Sequence, residues 1–180
     1  MLRDVPVPEP GPGQVLLRVA GAGARHSDLH LMEFPAGAVP WQPPFTLGHE
    51  NTGWVAATGA GVTGWSEGDA VAVYVVWGCG RCKACRLSAE NVCENVAAAG
   101  SLGGGLGRDG GMTEFMLVPD ARLLVPLGEF DPVDAAPLTD AGLTPYHAIK
   151  QALPVLAPDA PQWSLGSAAS ATSPCRSSAR

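Results

Sequence analysis

Four cysteines within one short segment place the strongest constraint on how this 180-residue chain can fold. They are Cys79, Cys82, Cys85 and Cys93, at the spacing C-x2-C-x2-C-x7-C. Thiolates are soft ligands, and four of them can close a tetrahedral shell around zinc. The alternatives are four ordinary buried cysteines, which chance would scatter, and a disulfide cluster. We favour a zinc-binding lobe, because clustered thiols in an intracellular chain more often bind metal than pair with each other.

The composition argues against several classes of protein. The formal net charge is −6, so the chain has no excess of basic residues with which to bind nucleic acid. No apolar stretch is long enough to span a membrane, and the first residues carry no apolar segment typical of a signal peptide. We therefore expect a cytoplasmic protein that binds neither nucleic acid nor a membrane.

Most of the chain has the pattern of short strands joined by turns, in keeping with its 23 glycines and 17 prolines. Strands are predicted at residues 14–23, 52–65 (two strands around a turn), 69–76, 110–119 and 122–127.

Helices are predicted over residues 27–32 and, near the end, over 131–153, where Asp131 is a cap and Pro132 occupies the first turn. The glycine-rich run LGGGLG at 102–107 opens no βαβ unit and is interpreted as a loop. The last segment, 154–180, is a Ser/Ala-rich stretch with no periodicity, which is typical of a disordered tail.

Several separated motifs together resemble the zinc-dependent medium-chain alcohol dehydrogenases. The carrying segments are GAGARHSDLH (21–30), TLGHENTGWV (46–55), GDAVAVY (68–74), the cysteine lobe (78–93) and AAPLTDAGLTPYHAIK (135–150). The resemblance implies that residues 1–153 form the catalytic domain of GroES-like fold, a mainly β, partly open barrel with a zinc lobe and without its first strand. The tail would then stand in place of a nucleotide-binding domain, with no complete Rossmann domain present.

The resemblance implies two zinc sites. The four clustered cysteines would hold a structural zinc in a surface lobe. The catalytic zinc would be bound by His49, by Asp140 and by a cysteine at position 25, where this chain has Arg25. An arginine stays protonated and has no lone pair to donate to a metal. The catalytic site is therefore expected to be impaired, unless Glu50 takes the missing ligand's place. Arg25 is expected to pair instead with Asp140 or Glu50 in a charge-assisted contact.

The same resemblance assigns roles to other residues around this site. Asp28 would orient the imidazole of His49, Ser27 would bind the alcohol hydroxyl, and His30 would pass its proton to solvent. Glu50 would lie behind the zinc and approach it transiently, and His26 would lie near the cofactor pyrophosphate. An apolar substrate wall or, equally, the structural core is suggested for three residues, which are Trp41, Val76 and Trp77.

The activity implied by the family is oxidation of small-molecule alcohols to aldehydes or ketones with NAD as the hydride acceptor. We expect this chain alone to be inactive, as a monomer or weak oligomer, because it has both the Arg25 change and a tail where a cofactor domain is expected. Codon choices compatible with residues 158–172 also allow a glycine fingerprint in another reading frame, which suggests a frame slip near residues 156–158. The main alternative is a non-catalytic, zinc-stabilised structural or binding module. A co-chaperonin is a weaker option, because that role requires no cysteine cluster.

Overall fold

The computed structural model describes residues 2–35, 37–39, 41, 43–96 and 101–155. The chain divides into two compact units, Met1–Thr139 and Asp140–Arg180. Nearly all of the predicted tail lies outside the described residues, so its structure stays a prediction. No helix in the described part of the chain is both long and apolar enough to cross a membrane.

The first unit is built on an antiparallel sheet of five strands in the order β6-β1-β2-β3-β7, and a pair of two-residue strands lies apart from it. β6 and β7 lie at opposite ends of the described sheet, which is therefore open. This agrees with the predicted mainly β, partly open architecture. The strands are β1 (Val15–Gly23), β2 (Glu50–Thr58), β3 (Ala70–Val73), β4 (Gly103–Gly104), β5 (Gly107–Arg108), β6 (Phe115–Val118) and β7 (Leu124–Pro126).

Helices in the described residues are short. The α-helices are α1 (His26–Glu33), α2 (Lys83–Arg86), α3 (Pro132–Ala135) and α4 (Leu143–Ala152), and single 3-10 turns cover Glu90–Val92, Ala121–Leu123, Ala136–Thr139 and Leu153–Val155. The predicted first helix is thus confirmed with one extra residue at each end. The glycine-rich run contributes only to the small β4–β5 pair, in agreement with its interpretation as a loop.

Several sequence predictions were too long. In the region 69–76 only Ala70–Val73 is a strand, and in the region 122–127 the strand Leu124–Pro126 follows a 3-10 turn. The region 52–65 holds one strand, which ends at Thr58, and the residues after it form turns. In the region 110–119 only Phe115–Val118 is a strand. The region 131–153 is not one helix: Asp131 does cap its start by accepting a 2.8 Å hydrogen bond from the Val133 amide, but Pro137 lies in a 3-10 turn and the chain turns again at 140–142. Proline cannot donate an i to i−4 hydrogen bond, which favours such an interruption.

The core of the first unit is formed by apolar side chains from every strand of the five-stranded sheet and from the segments that flank them. Trp77 belongs to this core: its side chain is 7% exposed and its indole N–H donates to the Tyr74 carbonyl at 2.9 Å. Of the two suggested roles for Trp77, the structure therefore supports the structural one. The buried cluster consists of Val15, Leu17, Val55, Val71, Val73, Trp77, Met116, Val118, Leu123 and Leu124.

The pairing of β1 with β2 positions the residues of interest. The register runs from Val15 opposite Thr58 to Gly23 opposite Glu50, with two irregularities along the way. Because the strands are antiparallel, the end of β1 and the beginning of β2 lie side by side. α1 begins three residues after β1, and its first turn therefore lies next to His49 and Glu50.

Candidate zinc lobe and candidate active site

The four clustered cysteines come together as the sequence spacing predicts. Their Sγ atoms all lie within 4.8 Å of one another, with Cys79 to Cys85 and Cys82 to Cys93 each at 4.0 Å. A tetrahedral zinc with bonds of about 2.3 Å places its sulfur ligands about 3.8 Å apart, close to these separations. A disulfide needs sulfurs about 2.05 Å apart, so these thiols are free and unpaired by covalent bonds. The donor set and its geometry fit a structural zinc.

Backbone and side-chain N–H groups around the lobe favour the thiolate forms of Cys79 and Cys82. The Asn95 side-chain amide donates to Cys79 Sγ at 3.3 Å, and chiefly this bond lowers the pKa of Cys79 to about 5. The Cys85 backbone amide donates to Cys82 Sγ at 3.5 Å and lowers the pKa of Cys82. Burial instead raises the pKa of Cys85 to about 12. A bound zinc ion would supply the positive charge that ionises this last thiol.

Arg122 joins the zinc lobe to the sheet, and the sequence analysis gave it no role. Its guanidinium donates to the Gly78 carbonyl at 2.6 Å, to Glu90 Oε1 at 3.0 Å and to Asp120 Oδ2 at 3.2 Å. Glu90 lies within the lobe and is only 9% exposed, so its carboxylate depends on this contact. A basic residue in the apolar run RLLVPL was the signal available in the sequence.

A second polar cluster forms where α1 begins, from the residues that the resemblance singled out. Asp28 and His49 are buried, and Asp28 Oδ1 lies 3.3 Å from His49 Nδ1. On the other side of the ring, His49 Nε2 lies 3.4 Å from Ser27 Oγ. A carboxylate facing Nδ1 favours the tautomer that carries its proton there, which leaves the Nε2 lone pair available on the Ser27 side. Asp28 thus lies beside the imidazole that the resemblance assigns to it, and its role in orienting His49 stays a prediction.

Two glycines explain how the chain reaches this arrangement. Gly48, just before His49, has φ of +94°, a conformation that other residues rarely adopt. Gly23 lies directly against Glu50, since a Cβ on Gly23 would come within 2.1 Å of Glu50 Oε2. A side chain at position 23 would therefore displace the Glu50 carboxylate.

Arg25 occupies the position where a third metal ligand was expected, and it pairs with Glu50. Arg25 Nη1 donates to Glu50 Oε1 at 2.9 Å, and the Glu50 side chain is only 4% exposed. The Arg25 backbone amide also donates to Asp28 Oδ2 at 2.8 Å, which holds the start of α1. A guanidinium cannot coordinate a metal, so these residues do not fit a catalytic zinc, and we derive no step through one. Asp140 belongs to the second unit, and its place as a ligand beside His49 stays a prediction.

The two remaining histidines of this region lie on the surface. His26 and His30 are both exposed on α1, with ring centroids 4.2 Å apart. Their predicted roles, near a cofactor and in proton transfer, stay predictions. The substrate-wall role of Trp41 and Val76 is likewise untested. In the part of the chain that the structure describes, the five-stranded sheet is antiparallel and contains no parallel strand–helix–strand unit of the kind that binds a dinucleotide.

Comparison with known proteins identifies the family. A family model described as the alcohol dehydrogenase GroES-like domain matches residues 11–129. D-arabinose 1-dehydrogenase (NADP(+)) of Saccharolobus solfataricus is 39% identical over 155 residues, covering 86% of this chain and 43% of that protein. An alcohol dehydrogenase of Rhizobium meliloti is 40% identical over 155 residues, covering 84% and 43%.

Solved structures agree. The alcohol dehydrogenase from Aeropyrum pernix superimposes with a TM-score of 0.74 at 38% identity, covering 88% of this chain and 46% of that one. The chain thus spans less than half the length of these relatives. It belongs to the zinc-type medium-chain alcohol dehydrogenase family and represents the N-terminal, GroES-like part of such enzymes.

Proposed function

We propose that this chain is the catalytic-domain portion of an NAD-dependent alcohol dehydrogenase that keeps its structural zinc and has lost its catalytic zinc. The family reaction is oxidation of primary or secondary alcohols to aldehydes or ketones. The observation that carries the proposal is the 2.9 Å ion pair between Arg25 and Glu50, next to a buried His49 whose Nδ1 lies 3.3 Å from Asp28 Oδ1. This pair supports the interpretation that one metal ligand of an alcohol dehydrogenase site has been replaced at position 25.

The defect lies in the missing lone pair more than in repulsion. At about 4 Å and an effective dielectric constant near 20, a guanidinium and Zn²⁺ repel by about 8 kcal/mol. Glu50 is bonded to Arg25, and its negative charge offsets much of that repulsion. What Glu50 cannot restore while it pairs with Arg25 is a third protein ligand, and catalytic zinc sites use three.

Without that zinc an alcohol bound near Ser27 keeps its ordinary acidity, and the alkoxide needed for hydride transfer does not form. We therefore expect no turnover from the 180-residue chain. We also place it in the cytoplasm, as a monomer or weak oligomer, with small alcohols or aldehydes as the ligands inherited from its family.

The Arg25–Glu50 pair also favours a second candidate function, a zinc-stabilised binding or structural module without chemistry. The two functions are separated by testing the Arg25→Cys variant in a chain that is extended by the C-terminal half of its relatives. This protein is incubated with a panel of alcohols and NAD, and the absorbance of the reduced cofactor is measured. Turnover in that variant supports the dehydrogenase assignment. No turnover, despite a second bound zinc, supports the module.

Metal content tests the site itself. We expect one zinc per chain in the wild type and close to two in Arg25→Cys, which adds a thiolate. The matched control is Arg25→Ala, which releases Glu50 and adds no sulfur, and it should stay near one zinc.

Three other outcomes would each change a different part of this assignment. Two zinc ions in the wild type would show that Arg25 does not block the site. An equal rise in both variants would show that Glu50 takes the ligand position once it is freed. No rise in a folded Arg25→Cys would contradict the assignment of position 25 as a ligand position.

A further inference from the structure

We propose that His26 and His30 form a second, surface metal site on α1 that chelates a divalent transition-metal ion such as Ni²⁺ or Cu²⁺. The two histidines are four residues apart on an eight-residue helix, so their side chains lie on the same face. Two histidines at this spacing on one helix face are a recognised bidentate metal-binding arrangement. This proposal concerns residues outside the cysteine lobe and does not rest on the dehydrogenase assignment.

The observed ring geometry is close to what chelation requires. The ring centroids lie 4.2 Å apart and the ring planes are inclined by 61°. With a metal–nitrogen bond of about 2.1 Å, and each nitrogen about 1.1 Å from its ring centroid, two ligands at a right angle place the centroids about 4.5 Å apart. Ni²⁺ and Cu²⁺ prefer such right-angled nitrogen ligands. The observed centroid separation is thus within a few tenths of an ångström of the value expected for a chelate.

The surroundings leave both imidazoles available. His26 and His30 are exposed, and neither forms an ion pair with an acidic residue in the described part of the chain. His30 contacts the Phe34 ring at a centroid distance of 6.4 Å, which does not cover its nitrogens against solvent. Water molecules can complete the coordination shell at such an exposed position.

The local charge does not exclude a cation. His26 is the first residue of α1, where the helix dipole disfavours positive charge. The neighbouring Arg25 guanidinium is paired with Glu50, and the Glu33 carboxylate lies in the last turn of the same helix. Imidazole nitrogens also select borderline metals over Mg²⁺ and Ca²⁺, which prefer oxygen ligands. The site is therefore expected to discriminate by metal type.

The test is calorimetric titration of the untagged, zinc-loaded 180-residue protein with NiCl₂. Four proteins are compared: wild type, His26→Ala, His30→Ala and the double variant. His147→Ala is the matched control, because His147 is also exposed on a helix and has no histidine four residues away. Zinc content measured before and after each titration shows that the cysteine lobe keeps its metal.

We expect one Ni²⁺ per chain in the wild type and in His147→Ala, with the same affinity. Each single substitution in the pair should weaken binding at least tenfold, and the double variant should be no more than about twofold weaker than either single one. That non-additivity identifies chelation by both rings, since either loss removes the bidentate site.

Three results would overturn the proposal. One is absence of saturable Ni²⁺ binding in the wild type. Another is a loss of Ni²⁺ affinity in the double variant equal to the product of the two single losses, because this would mean that the two histidines act independently. The third is an equal loss in His147→Ala. Proton NMR gives a second readout: paramagnetic Ni²⁺ should broaden the ring signals of His26 and His30 before those of His147, and the reverse order would also contradict the site.

Discussion

Removal of zinc should unfold the cysteine lobe and leave the sheet intact. The lobe spans the 15 residues from Cys79 to Cys93. Its buried residues are three cysteines and Glu90, with no buried aliphatic or aromatic side chain. The core of the sheet, in contrast, is made of aliphatic and aromatic side chains with Met116. We therefore predict that apolar burial holds the sheet, whereas the lobe depends on a metal bound by its four cysteines.

The structure allows the size of the effect to be worked out. Ordering 15 backbone residues costs about 15 kcal/mol, at about 1 kcal/mol each. Burying three small sulfur side chains stabilises the lobe by about 3 kcal/mol. Coordination of a structural zinc contributes about 10–16 kcal/mol, which brings the sum close to balance. Without zinc the deficit is about 12 kcal/mol, so the apo lobe should be unfolded almost completely.

Amide hydrogen exchange measured by mass spectrometry provides the assay. The zinc-loaded protein should protect peptides from 79–93 and from β1 and β2 alike. After chelation, exchange in 79–93 should approach that of an unfolded peptide while β1 and β2 stay protected. Cys93→Ser should reproduce the chelated state without chelator, and Cys175→Ser, which changes the cysteine outside the cluster, should behave as wild type.

Persistent protection of 79–93 in metal-free protein would refute the reasoning, because the lobe would then have a source of stability other than zinc. Simultaneous loss of protection in β1 and β2 would refute the claim that the lobe and the sheet are stabilised separately.

Two further substitutions test contacts that tie distant segments together. Arg122→Met should lower the free energy of unfolding by about 2 kcal/mol, because it leaves the buried Glu90 carboxylate without its donor. Calorimetry should show this as a decrease of about 4–8 °C in Tm. Arg86→Met is the control, at an exposed arginine without an ion pair in the described residues, and should change Tm by less than about 1 °C. Thr52→Val should cost about 1–3 kcal/mol in urea unfolding, because the fully buried Thr52 hydroxyl donates to the Pro132 carbonyl, whereas Thr58→Val, at an exposed position, should be nearly neutral. An equal effect in either control would contradict the role assigned to that contact.

Local patterns in the sequence were sufficient where the structure depends on neighbouring residues. The two-residue gaps between Cys79, Cys82 and Cys85 predicted that these three sulfurs converge, since such short turns bring neighbouring side chains together. Cys93, separated from Cys85 by seven residues, reaches them after α2 and the 3-10 turn Glu90–Val92. The β1 strand and the Asp131 cap were confirmed for the same reason: alternation, branching and capping act over a few residues. The cysteine at position 25 expected from the family was recognisably missing from the sequence itself.

Contacts between distant segments were decided by the tertiary structure alone. Arg25 and Glu50 are 25 residues apart and meet because β1 and β2 pair in a particular register, with Gly23 opposite Glu50. The pairing of Arg122 with Glu90, 32 residues away, depends likewise on where the 3-10 turn Ala121–Leu123 lies against the lobe. The predicted strands were too long because residues with high β-propensity continue beyond the last residue that pairs with a neighbouring strand. Local preference depends on sequence neighbours, whereas hydrogen bonds and ion pairs depend on which segments folding places side by side.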